Sequence, residues 1–346
     1  MGITSKVKAI ALAVTIWLLG LAAACGPSNV DSTSGSNEWV PQRANVVGSV
    51  DVDQLLAVIG ADLGQLFESL GSGSLSGSED FTDFFNVDPA GTARLFGDPS
   101  RADIFAETDA EGDSKYFGLV LHGSFEETPL IAQLEIISGS KLDKENFKGS
   151  NVYSQADDPD EFTLSVLDSS TFAIGSFGAV KDIIDLRRGD AESASGPLID
   201  VFNDMSDGIF RLAAEVSQDA FASQDLGAIP GLGDLPISLD FLSSLDIVGL
   251  GGDLENGNLN IAISMDFTNE EAAETLEGFI KGIVTLASGF STDPRTTDLL
   301  SGLEVDQDGR RLTIRIAIPE SELGDIFGDL TTITETTQSG GGPPGT

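Results

Sequence analysis

Leu259-Asn260-Ile261-Ala262-Ile263-Ser264-Met265-Asp266-Phe267 puts an apolar side chain at every second position. A period of two belongs to a strand with one face on a core. Asn256-Gly257, just before it, is a strong hairpin turn signal, and Leu245-Asp246-Ile247-Val248 reads as the partner strand. Just after it, Thr268 and Glu271 form a capping box. Ala272, Leu276, Phe279, Ile280, Ile283 and Val284 then draw one apolar helical stripe. The unit is a hairpin followed by a helix.

The same unit occurs earlier in the chain. Phe117, Leu119, Leu121, Gly123 and Phe125 alternate with Gly118, Val120, His122 and Ser124, after a strand at Ala102-Asp103-Ile104-Phe105 and a turn at Glu111-Gly112-Asp113. Thr128 is placed to cap the next helix, with Pro129 at its first position and Leu130, Ile131 and Leu134 behind. The starts of the halves also correspond. Val46 to Val52 leads to Asp53 as a cap before Leu55 and Leu56, and Phe210 to Val216 leads to Ser217 as a cap before Phe221. Each half closes on a further hairpin and helix. In the first these are Phe162–Val166 with Thr171–Ile174, then Ser176 capping Val180, Ile183 and Ile184. In the second they are Leu303–Val305 with Leu312–Ile318, then Pro319 opening a helix with Leu323, Ile326 and Phe327. The expected fold is therefore α+β: two pseudo-repeated lobes of antiparallel hairpins with helices packed on one face. Residues 39–205 form the first repeat and 206–330 the second. Gly/Ser-rich 71–78 and the stretch 227–236 are loops at equivalent places.

Before the first repeat, Lys6 and Lys8 precede an unbroken apolar run from Ala9 to Ala24, which ends at Cys25, the one cysteine of the chain. A basic start, a short apolar core and small residues before a cut site mark an export signal. The core falls short of the ~20 residues that span a bilayer. Leu21-Ala22-Ala23-Ala24-Cys25 resembles the lipobox of bacterial lipoproteins, with Ala22 where leucine is usual. The resemblance implies a signal peptide over 1–24 and a diacylglyceryl group on the Cys25 sulfur. Cys25 would then be the mature N-terminus, and the protein would be anchored on the extracytoplasmic side of a membrane of the cell envelope. Two acyl chains, at ~0.8 kcal/mol per buried CH₂, hold such a protein stably where one does not. Polar, Gly/Ser-rich residues follow, so 25–38 reads as a flexible tether, and the Thr/Gly/Pro-rich 331–346 reads as a disordered tail.

The formal net charge is −38; without Lys6 and Lys8, 56 acids face 16 bases, a net of −40. Such a surface repels nucleic acid and anionic lipid head groups, so attachment to a membrane must come from the acyl chains. Lipidation of Cys25 leaves no thiol for a disulfide.

Chemistry is sparse. The single histidine, His122, is expected on the surface, and one histidine excludes metal motifs that need two. Gly-x-Ser-x-Gly and Walker-type patterns are absent, and Gly231-Leu232-Gly233 and Gly249-Leu250-Gly251 read as turn glycines. A carboxylate pair for acid–base work needs one desolvated member. The acids instead fall at a cap (Asp53), turns (Asp306, Asp308) and exposed helix faces (Glu270, Glu274). Asp157-Asp158-Pro159-Asp160-Glu161 is the densest acidic cluster. It lacks the ligand spacing and glycine of an EF-hand loop and reads as a solvated hairpin loop. No cofactor, metal or catalytic residue is assigned.

Lys148-Gly149-Ser150-Asn151-Val152-Tyr153-Ser154, Ala173-Ile174-Gly175-Ser176 and Val180-Lys181-Asp182-Ile183-Ile184-Asp185 are similar to a family of uncharacterised exported bacterial proteins, a domain of unknown function. That resemblance implies no activity. Three functions follow as expectations. The first is a non-enzymatic binding or scaffold role, with an exposed apolar or aromatic patch near Trp39. The second is a carrier of a lipid or hydrophobic ligand, with an apolar cavity between helix and sheet. The third is a carboxylate-dependent hydrolase, with two acids facing each other in a cleft.

Overall fold

The computed structural model describes residues 37–59, 99–108, 114–138, 141–155, 163–217, 243–290 and 301–319. Cys25 and the segments flanking the body lie outside the described residues. So do the loops 71–78 and 227–236, the Asp157–Glu161 cluster, the helix expected after Ser217 and the one expected after Pro319.

Among the described residues twelve strands form one antiparallel sheet. They are β1 (Val46–Asp51), β2 (Arg101–Thr108), β3 (Ser114–His122), β4 (Leu142–Phe147), β5 (Ser150–Gln155) and β6 (Thr163–Asp168). The rest are β7 (Thr171–Gly175), β8 (Phe210–Glu215), β9 (Leu245–Glu255), β10 (Asn258–Phe267), β11 (Glu304–Asp308) and β12 (Arg311–Pro319). Their order is β11-β12-β10-β9-β8-β1-β2-β3-β7-β6-β5-β4. Outward from the central β8–β1 pair it runs 1-2-3-7-6 on one side and 8-9-10-12-11 on the other, with the β4–β5 hairpin added beyond β6. Val46 to Val50 faces Ala214 to Phe210, so both halves of the chain share a single sheet.

Five helices are described: α1 (Val52–Ile59), α2 (Glu127–Ser138), α3 (Phe177–Arg188), α4 (Pro197–Asp204) and α5 (Glu270–Phe290). They cover both faces, which departs from the expectation of one. On the back face, α1 packs Leu55 against Val50, Phe210 and Leu259, and α2 packs Leu130 and Leu134 against Leu121, Phe172 and Ile174. On the same face α5 packs Ala272, Ala273 and Leu276 against Leu312 and Phe267. On the front face, α3 and α4 bury Ala179, Ile183, Leu198, Val201 and Phe202 against Val47, Phe105, Val120, Ala213 and Ile247. The reason is local. The central strands bury side chains on both sides, and four successive residues of β1, Val47 to Val50, are buried. A glycine lets α4 settle close, since a Cβ on Gly249 would lie 2.7 Å from Val201, and Gly118 makes room for the Phe105 ring of the neighbouring strand, which a Cβ there would meet at 2.2 Å.

The starts of α1, α2 and α5 differ from expectation by one or two residues. Asp51, not Asp53, caps α1 by accepting the Gln54 N–H at 2.8 Å. Asn269, not Thr268, caps α5 by accepting the Ala272 N–H at 3.0 Å. Ser176 stands at the N-cap of α3 without a side-chain cap bond, because its hydroxyl contacts the backbone of Phe117. α2 starts at Glu127, so Thr128 lies inside it. The expected Asn256-Gly257 turn is present, both residues having positive φ. Both sheet edges carry charge: β11 exposes Glu304, Asp306 and Asp308 in alternation, and β4 exposes Asp143, Lys144 and Glu145. Such edges resist further strand addition. The Leu142 N–H at the β4 edge donates to Glu135 of α2.

Candidate functional site

Two features of the sheet's centre could bear function, one on each face. On the front face, cross-strand register sets Arg211, Ser49 and Asp103 side by side on β8, β1 and β2, and sets Arg101 opposite His122 on β3. Alternation places these polar residues under the front helices. The Asp103 side chain is only 1 % exposed, and each of its oxygens has a partner. Oδ1 accepts from the Arg101 guanidinium at 2.9 and 3.0 Å, and Oδ2 lies 2.8 Å from Nε2 of His122. Arg101 also donates to the Ser49 hydroxyl. Arg211 lies 4.6 Å over the Phe202 ring and pairs with Asp207 at 3.0 Å. Burial lowers the pKa of this guanidinium, against the pull of Asp207.

This cluster corrects two expectations. His122 is not a surface residue, since its side chain is 23 % exposed and held by a buried carboxylate. Trp39 does not head an exposed patch. It packs on the front core, with its ring 5.8 Å from that of His122. Trp39 belongs to a strap, residues 37–45, sewn onto the body. Asn37 and Val40 bond to the backbone of Ala194, Pro41 bridges Ser193, and Asn45 bonds along its backbone to Ala106 and Glu215. Val40 and Ala44 are buried in the front core. The acids singled out in the sequence are solvated as expected at Glu270, Glu274, Asp306 and Asp308. The buried acid, Asp103, escaped notice, because Arg101-x-Asp103 gains meaning only once the register sets His122 across from Arg101.

Beside the strap, Gln42, Arg43, Asp182, Leu186 and Glu192 line an open groove of about 390 Å³. Here Arg43 lies 4.0 Å over the Tyr116 ring and pairs with Glu107. The Tyr116 hydroxyl donates to Asp182 at 2.6 Å. Burial, aided by that carboxylate, pushes the phenol far above its usual pKa, so it stays a donor.

On the back face, one row of side chains crosses the sheet at right angles to the strands. It runs Ile314, Ile263, Leu250, Leu212, Gly48, Ile104, Leu119, Ile174, Leu164. No polar side chain interrupts this belt. Ile104, Ile263 and Ile314 are half-buried and stand outside the packed clusters of the described residues. The belt's row continues to Tyr153 on β5. The Tyr153 hydroxyl donates to Glu127 at 2.5 Å, and this bond, ahead of that from Asn151, holds the Glu127 carboxyl below its usual pKa.

Among the described residues no group of three or more His, Cys, Asp or Glu side chains is placed to hold a metal ion. No described helix is long and apolar enough to cross a membrane. Cys25 lies outside the described residues.

No protein-family model matches the chain, and no curated protein matches it. Solved structures similar to it include crystal form III of TP0453, with a TM-score of 0.46 at 12 % identity over 86 % of this chain and 100 % of that one. Crystal form I of TP0453 is similar with a TM-score of 0.44 at 12 % identity, over 87 % and 99 % of the two chains.

Proposed function

We propose that the chain is a lipid-anchored extracytoplasmic protein, held at the cell envelope by acyl chains on Cys25, with a non-enzymatic binding or scaffold role. The observation that carries this reading is the junction between anchor and body. The lipobox-like run ends at Cys25, polar residues follow, and the first described residues form a strap bonded to Ala194, Ser193, Ala106 and Glu215. A pull on the anchor therefore enters the body through buried Val40 and Ala44 rather than through a frayed end. The strand orders 1-2-3-7-6 and 8-9-10-12-11, laid outward from one central pair, support reading the body as two pseudo-repeated halves. Asp103 supports a structural use of the buried charge, since Arg101 and His122 occupy both its oxygens. Intact mass of the protein taken from native membranes tests the anchor: two or three acyl chains on residue 25 are expected, and a bare thiol refutes it.

A second reading is favoured by the back-face belt. Leu164 and Ile174 are buried with α2, but Ile104, Ile263 and Ile314 stay half-buried, and such aliphatic side chains suit a lipid or another hydrophobic ligand that needs no polar partner. Lipid extraction of the purified full-length protein should recover such a ligand in stoichiometric amount; an empty extract counts against the carrier.

A further inference from the structure

We infer that the anchored body presents its front face, with the strap, α3 and α4, to its own membrane, and turns the aliphatic belt away from it; the inference rests on the anchor reading above. The described chain begins at Asn37, beside Ala194 between α3 and α4, in the layer of front helices. That attachment cannot slide, because the strap is bonded on both sides and its Val40 and Ala44 are buried.

Reach then limits orientation. Eleven residues lie between Cys25 and Asn37, and the chain from one to the other spans at most roughly 43 Å. Front helices, sheet and back helices are three layers of about 10 Å each. To bring the belt side down to the bilayer, the connecting chain must pass the whole thickness, roughly 30 Å. Most of its length is then used, and its conformational freedom is largely lost. With the front face down, none of that length is consumed. Charge does not oppose this choice on zwitterionic lipid, although Glu38, Asp190 and Glu192 are exposed near the strap. The short connection, not attraction to head groups, sets the orientation. A ligand or partner of the belt must then arrive from the side opposite the protein's own membrane.

The test uses the acylated full-length chain, in which Cys25 is blocked and an added cysteine is the one free thiol. Glu192→Cys, exposed beside the strap, and Ile136→Cys, on α2 with 79 % exposure, each receive a donor dye. Energy transfer is read to an acceptor on the head groups of zwitterionic vesicles, with flotation as an independent measure of attachment. Severalfold greater transfer from the Glu192 site than from the Ile136 site is expected. Equal or greater transfer from Ile136, in protein that floats with the vesicles, overturns the orientation and leaves the anchor standing. Protein that neither floats nor transfers from either site, like a Cys25→Ser control, overturns the anchor and the orientation with it.

Discussion

Gly48 and Ser49, Ile104 and Asp103, Leu212 and Arg211 are chain neighbours, yet the first of each pair lies in the back-face belt and the second in the front-face polar row. One residue of register separates an aliphatic row from a set of bonded charges. The difference lies in what each side asks of its neighbours. The front row needs defined partners, since Asp103 is buried and must be neutralised where it stands. The belt needs only apolar bulk, and its members vary from glycine to isoleucine without a gap in the row.

The contrast is tested most directly by truncating adjacent residues of β2. Phe105→Ala, on the buried front face, should cost about 3–5 kcal/mol in urea unfolding, whereas half-buried Ile104→Ala should cost about 1–2 kcal/mol. Equal losses would mean that the belt is packed as tightly as the front core. Asp103→Ala should cost about 3 kcal/mol, because Arg101 and His122 lose their shared acceptor inside the fold. A Gly118→Ala variant tests how closely the front side is filled. Its methyl meets the fully buried Phe105 ring, and overpacking of about 1–3 kcal/mol is expected as a fall in Tm. Ser264 carries the opposite sign. Its hydroxyl is buried on the front face of β10 with no hydrogen-bond partner, so Ser264→Ala should raise stability by about 1 kcal/mol. The smallest effect lies beyond the belt's end. Tyr153 holds Glu127 below its usual pKa, so Glu127 contributes stability above its unfolded value of about 4.3 that is lost as pH falls. Denaturation midpoints of Glu127→Gln should therefore change less than wild type between about pH 5 and pH 3.

The alternating strands were legible in the sequence and the polar row was not, for the same physical reason. Leu259 to Phe267 announces its strand because alternation is a property of one segment read alone. Asp103 and His122 lie 19 residues apart, and only the β2–β3 register gives either a meaning. The hairpin β4–β5 and helix α4 were missed for local reasons. The charged Leu142–Phe147 has no alternation to show, although Lys148-Gly149, both at positive φ, is a turn. Gly196-Pro197 was the available signal for α4, with proline in its first turn. Helices on both faces were unforeseen because the polar front row masks the apolar residues beside it. Caps were misplaced by a residue or two, since Asp51 and Asp53, or Thr268 and Asn269, are chemically equivalent candidates until the backbone chooses between them.

The charged margins of the sheet have a consequence for crowding. Molecules confined to a plane meet rim to rim far more often than molecules in bulk water. If two copies aligned their β11 rims head to tail, the even-numbered acids Glu304, Asp306 and Asp308 would oppose one another in each allowed antiparallel alignment. Under the Cys25 anchor proposed above, these acids keep the β11 rims of copies crowded in a membrane plane from pairing with one another.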